Sequence, residues 1–115
     1  MNRRHEHRRM NLVHLVGDIV LPVELRRDRI TGRTFGKALI AVPNGVHGTY
    51  FVPITLRGNE AVDAANYLGE GSRVDVTGHI HSAYRADGRP RRVLYVIADG
   101  VTYLNLRAPQ SGDRL

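Results

Sequence analysis

The chain has 115 residues, enough for one hydrophobic core and not for two. Seventeen basic residues against eleven acidic ones give a formal net charge of +6, and sixteen of the seventeen are arginine, Lys37 being the lone lysine. The absence of cysteine excludes disulfides, thiol catalysis and Cys-ligated zinc, and no apolar run approaches the ~20 residues of a membrane helix.

Arginine stays charged, grips phosphate with a planar fork and stacks flat on rings. A sequence pI near 10.5 therefore points to a polyanionic partner, the plain alternative being a merely soluble basic surface. No signal-peptide pattern is visible, so the cytosol is the expected compartment.

Residues 1–9, MNRRHEHRR, have no apolar period and read as a basic flexible arm. From Met10, NLVHLVGDIVLPVEL alternates Val13, Leu15 and Ile19 with His14 and Asp18, the period of a half-buried strand. Gly17 is expected to mark a bulge or a sharp bend in it. RRDRITGR follows as a basic loop holding Arg26, Arg27, Arg29 and Arg33.

The second strand is TFGKALIAV, from Thr34 to Val42, broken by Pro43-Asn44-Gly45. In the third, TYFVPITLRG, Val52, Ile54 and Leu56 are expected to face a core and Phe51, Thr55 and Arg57 to face out. Pro53 removes one ladder donor there and predicts an edge or a bulge.

NEAVDAANYLGEG is the one convincing helix, with Asn59 as its cap, Val62, Ala65 and Leu68 on one face and Gly69 as its stop. SRVDVTGHIHSAY returns to alternation, setting Val74, Val76 and Ile80 against Arg73, Asp75, Thr77, His79 and His81. RADGRPRR turns the chain at Asp87-Gly88 into RVLYVIA, the fifth strand. A last apolar stretch, VTYLNL, precedes the polar tail of residues 108–115.

Five strands with one helix between the third and fourth is the order of an OB-fold barrel, an all-β, five-stranded, partly open barrel whose exposed face and loops bind oligonucleotides. In that topology RADGRPRR is the tip between the last two strands. Arg85, Arg89, Arg91 and Arg92 would then line the path of a nucleic acid, with Tyr84 at the base as a possible stacker. RRDRITGR, with Arg26 and Arg27, would form the opposite wall. A solvated hairpin tip is the alternative for the one, a solvated loop for the other.

Several of these segments resemble the bacterial single-stranded DNA-binding proteins. MNLVHLVGDIVLPVEL resembles the opening of that family, and FGKALIAV, with Lys37, its second strand. YFVPITLRGNEAVDAANYLGEGSRVDVTGHIHS resembles its strand–helix–strand centre. The likeness runs from Met10 to about Leu106, so residues 10–107 form the expected binding domain. It rests on the order and spacing of the landmarks together.

The resemblance implies binding of single-stranded DNA without strong sequence preference, in replication, recombination or repair, with no cofactor and no catalysis. It also implies a bacterial cytoplasmic, nucleoid-associated protein that forms a homotetramer. Phe51, preceded by Tyr50, falls on the family's stacking position. Arg57, before Gly58, stands where the family often has a second aromatic, and can stack by its guanidinium plane or grip a phosphate. The hairpin aromatic falls on Tyr84 or Arg85, depending on a one-residue slip.

The chain has no tryptophan, and the loop from Pro43 to Gly48 is too short for the family's usual extra one. It ends at Gly112-Asp113-Arg114-Leu115 without the family's acidic tip, so recruitment of replication proteins by that route is not expected. A small primosomal replication protein of the same fold, a dimer, is the runner-up, and a protein-interaction barrel is the rival from another class. His79 with His81, and His5 with His7, offer two imidazoles each where zinc takes three or four ligands, so no metal is expected. No nucleophile elbow or phosphate loop appears, and no enzyme is expected.

Overall fold

Alternating apolar residues in five segments give five strands, each with one face to bury. The computed structural model describes residues 9–109. Its strands are β1 (Val13–Arg27), β2 (Thr34–Pro43), β3 (Thr49–Arg57), β4 (Arg73–Arg85) and β5 (Arg91–Asn105), with the helix α1 (Gly58–Tyr67) between β3 and β4. They close into a barrel in the order β1-β2-β3-β5-β4. All pairings are antiparallel except the short seam of β3 with β5, where Ile54 meets Val96 and Thr55 meets Ile97. The expected arm falls almost wholly, and the polar tail mostly, outside the described residues.

β1 serves two neighbours. It pairs with β4 from Val13 to Asp18 and with β2 from Asp18 to Arg27. The register runs unbroken through Gly17; the irregularities lie between Ile19 and Leu21 and between Leu21 and Glu24. The bulging expected at Gly17 is therefore displaced toward Pro22, which has no N–H to give to a ladder.

β3 follows its alternation. Ile54 and Leu56 are buried, Val52 half-buried, and Phe51 and Arg57 exposed. Pro53 pairs with Leu39 of β2 one residue before β5 joins β3 at Ile54, so it sits where the strand has a single paired neighbour.

α1 packs against β1, β2 and β3. Its buried residues are Ala61 and Ala64, followed by Leu68 at the C-cap, whereas Val62 and Ala65 are only half-buried. The small pair lets the helix axis come close to the strands. Arg57, not Asn59, is the N-cap, and no side chain caps it, because the helix begins directly where β3 ends. Gly69 ends nothing by a left-handed turn. Its N–H donates to the Arg107 carbonyl, and a Cβ there would overlap the Ala108 carbonyl. The C-terminal strand exit is pinned at the same place by Ser72, fully buried, whose hydroxyl donates to Arg107 O (2.9 Å) and accepts from Arg107 N–H (2.8 Å).

Val74 and Val76 enter the core as expected, but Ile80 is 44% exposed. Beyond Gly78 the Asn11 side chain bonds the Ile80 backbone, and among the described residues β5 is then the one strand paired with β4, so the two leave the barrel as a ribbon. VTYLNL is no separate element: β5 runs through it to Asn105, past a register shift opposite Thr77 and Gly78.

Candidate nucleic-acid interface

Cross-strand partners share one face of a sheet, so the register lists what the barrel turns outward. One row is Arg26, Phe35 and Arg57; the next is Glu24, Lys37, Thr55, Ile97 and His79. Up the ribbon, the same face carries Tyr95 with His81, Val93 with Ala83, and Arg91 with Arg85. Between the β1–β2 loop and the ribbon these rows form the floor of an open cleft of about 950 Å³. Arg33, Phe35, Lys37, Thr55, Arg57, Arg85, Tyr95 and Ile97 are among its lining.

The cleft is basic and partly ringed. Of the cations that line it, Arg33, Lys37 and Arg85 have no acidic side chain within ion-pair distance among the described residues. The Tyr95 ring lies 5.5 Å from that of His81, tilted by 58°. Arg57 donates through Nη2 to Asp99 Oδ1 at 3.0 Å and to Ala98 O at 3.4 Å.

The far side of α1 carries the opposite charge. Glu60, Asp63, Tyr67 and Tyr103 border a shallow depression there. Burial pushes the Glu60 carboxyl above its usual range, against the Val101 N–H and the Arg57 charge that stabilise its anion. Burial likewise raises the Tyr103 phenol, helped by Asp63 and Glu60. The helix flank is thus acidic where the cleft is basic.

No protein-family model matches the chain. The single-stranded DNA-binding protein of Clostridium tetani (strain Massachusetts / E88) is 32% identical to it over 109 residues, covering 89% of this chain and 75% of that protein. Single-stranded DNA-binding protein 3 of Clostridium acetobutylicum is 32% identical over 102 residues, covering 83% and 71%. The chain belongs to the single-stranded DNA-binding protein family.

Solved structures agree on the fold. A Plasmodium falciparum SSB complex with ssDNA matches with a TM-score of 0.72 at 18% identity, over 91% of this chain and 100% of that one. The dimeric N-terminal domain of the PriB protein from Thermoanaerobacter tencongensis matches with a TM-score of 0.64 at 28% identity, over 82% and 96%.

Of the residues that family resemblance and charge singled out, Lys37, Arg57 and Arg85 line the cleft. Phe51 shares its face with Arg57 but lies six residues, or ~20 Å, along the strand. Tyr50 has the other parity and is also exposed. Tyr84 pairs with Arg92 on the ribbon's inner side, so it is Arg85 that the strand turns to the cleft.

Arg89 sits at the tip. Arg91 bends onto its own turn, donating through Nη1 to Asp87 O and Arg89 O, each at 3.0 Å. Arg26 is held by Glu24 at 3.0 Å and Arg27 by Gly32 O at 3.1 Å. His79 and His81 part company, one bonded to Asp99 and the other packed on Tyr95; His5 and His7 lie outside the described residues.

Sequence reasoning missed Phe35 and Tyr95. Phe35 stands two residues before Lys37 on one strand, so alternation alone places them on one face. Tyr95 joins the cleft only through the β4–β5 register, which no local pattern carries.

Proposed function

We propose that this chain binds single-stranded DNA along the cleft, without strong sequence preference, and so protects it during replication, recombination or repair. The observation that carries this is the mixed floor: Phe35 and Tyr95 rings beside the Lys37, Arg57 and Arg85 cations, in a member of this family. A basic groove follows the sugar-phosphate backbone, and rings accept any base by its face, each stacked base being worth about 1–3 kcal/mol. Phe51 would extend the stacking path along β3, and Arg89 and Arg92 would flank it at the ribbon.

The protein acts here as a binder, not an enzyme, in the cytoplasm, through residues 10–107, with residues 1–9 as a basic arm and 108–115 as a polar tail. Self-association into a dimer or tetramer fits the exposed apolar side chains on the ribbon's inner face, Ile80 and Leu94, which no other strand covers. The dimeric PriB neighbour favours a primosomal role as the second reading.

Light scattering with and without a dT oligomer, and gel shifts with single-stranded against duplex DNA over a salt series, test the proposal. With about five phosphates neutralised, affinity should fall about 3.5 decades per tenfold rise in salt. Indifference to both DNA forms would put the protein-interaction barrel in its place.

A further inference from the structure

The ladder between β4 and β5 is interrupted behind the cleft. Thr77 faces Gly100 and Gly78 faces Ala98, so Asp99 is the extra residue of a β-bulge. A bulge leaves one residue unpaired and re-aims its side chain. The partner strand is shaped for it: a Cβ on Gly78 would overlap the Ile97 carbonyl.

The Asp99 carboxylate takes two donors. Arg57 Nη2 donates to Oδ1 at 3.0 Å, and His79 Nδ1 donates to Oδ2 at 3.1 Å. A carboxylate only accepts, so His79 carries its proton on Nδ1 in this pair. The same Arg57 nitrogen also donates to Ala98 O at 3.4 Å.

Both Arg57 contacts fall on one corner of the guanidinium, and its N–H bonds lie in its own plane. The group is therefore held edge-on, while its side chain stays 58% exposed. Nη2 belongs to both of the two-pronged edges by which a guanidinium grips a phosphate, so the tether occupies the corner such a grip needs. In-plane contacts at Nη2 leave the flat face uncovered by the tether, and of the N–H donors only those of Nε and Nη1, which share no complete two-pronged edge.

From this geometry we infer that Arg57 serves the single strand as a stacking plate, not as a two-pronged phosphate clamp, and that Asp99, braced by His79, positions it. The inference rests on the single-strand reading above. Asp99 is a positioning residue, since Arg57 lines the cleft and Asp99 stands behind it. Without the clamp the DNA itself would have to order a long side chain, a cost of about 2- to 10-fold in affinity.

The test compares affinity for a dT oligomer with affinity for an abasic oligomer of equal length, at fixed salt. Their ratio is the quantity read. A change of charge acts on both strands, whereas stacking acts only on the one with bases. Asp99→Ala is expected to lower the ratio about 2- to 10-fold. Asp99→Asn keeps an amide oxygen to accept from Nη2 and should leave the ratio near that of the wild type.

Arg57→Lys keeps the charge but loses the plane and should lower the ratio; Arg57→Tyr should hold or raise it. An unchanged ratio in Asp99→Ala overturns the positioning role. A ratio kept by Arg57→Lys and lost by Arg57→Tyr overturns the plate. The two Arg57 variants alter an exposed side chain and decide the matter even if Asp99→Ala fails to fold. A wild type that binds neither oligomer breaks the single-strand reading itself, whereas one that binds dT with a ratio blind to all four substitutions breaks this inference alone.

Discussion

The two basic segments that flank the cleft carry similar charge and are built in opposite ways. In the β1–β2 loop, Asp28 Oδ1 accepts from the N–H groups of Ile30 (2.8 Å) and Thr31 (2.9 Å). The Asp28 N–H donates to Arg33 O and the Gly32 N–H to Asp28 O, both at 2.8 Å. At the β4–β5 tip the side-chain bonds come from one arginine, Arg91, reaching back to Asp87 and Arg89.

The loop is thus a preorganised wall that has spent one carboxylate on its own shape. The tip is a set of solvated charges that a ligand must order for itself. Like charge does not imply like readiness to bind.

The comparison is tested most severely at the tip. Replacing Arg85, Arg89 and Arg92 together by alanine should make the salt dependence shallower by about 2 log units per decade, near 100-fold in affinity at 0.1 M salt relative to 1 M. A salt series on a dT oligomer reads this directly, and an unchanged slope would mean that the strand never meets the tip.

Rings come next. Phe51→Ala should weaken oligothymidine binding by about 1–3 kcal/mol with no loss in thermal unfolding midpoint, as the ring is exposed. Tyr95→Ala should cost a similar amount. If only one of the two matters, the strand runs either along β3 or up the ribbon.

For the loop the expected effects are smaller. Asp28→Ala removes both the brace and a negative charge from the wall, which oppose each other in DNA affinity. Its clear signature is loss of hydrogen-exchange protection at the Ile30 and Thr31 amides. In the wild type those same N–H groups, Thr31 foremost, hold the Asp28 carboxyl below its usual range.

The brace is fully present above the ordinary carboxylate pKa of about 3.9 and is lost only as pH falls through the lower folded value. Protection should therefore persist at about pH 4 and fade on further acidification, with no such step in Asp28→Asn. The smallest effect is expected of Arg91→Ala, under about 2-fold in affinity, since its guanidinium is already engaged by its own exposed turn.

Much of the barrel was legible because strand alternation is a local property. Ile54 and Leu56 against Phe51 and Arg57 could be assigned from spacing alone, and so could the helix between β3 and β4. Ile80 misled, since alternation says which face a residue takes and not whether anything covers that face. The helix cap misled too: Asn59 has the chemistry of a cap, but the end of β3 put Arg57 in the position. Tyr84 and Arg85 could not be told apart until the pairing of Tyr84 with Arg92 fixed which faces inward.

By itself, then, the sequence determined the number and order of the strands, the inward and outward sides of β3, and the excess of arginine that suits a polyanion. Each follows from neighbours a few residues apart or from a simple sum of charges. Only the tertiary structure decided which cations stand in the cleft, that Phe35 and Tyr95 join them, and that the bulged Asp99 reaches Arg57, 42 positions away in the chain. Register shifts and barrel closure bring such residues together, and these depend on contacts between distant segments that no local pattern records.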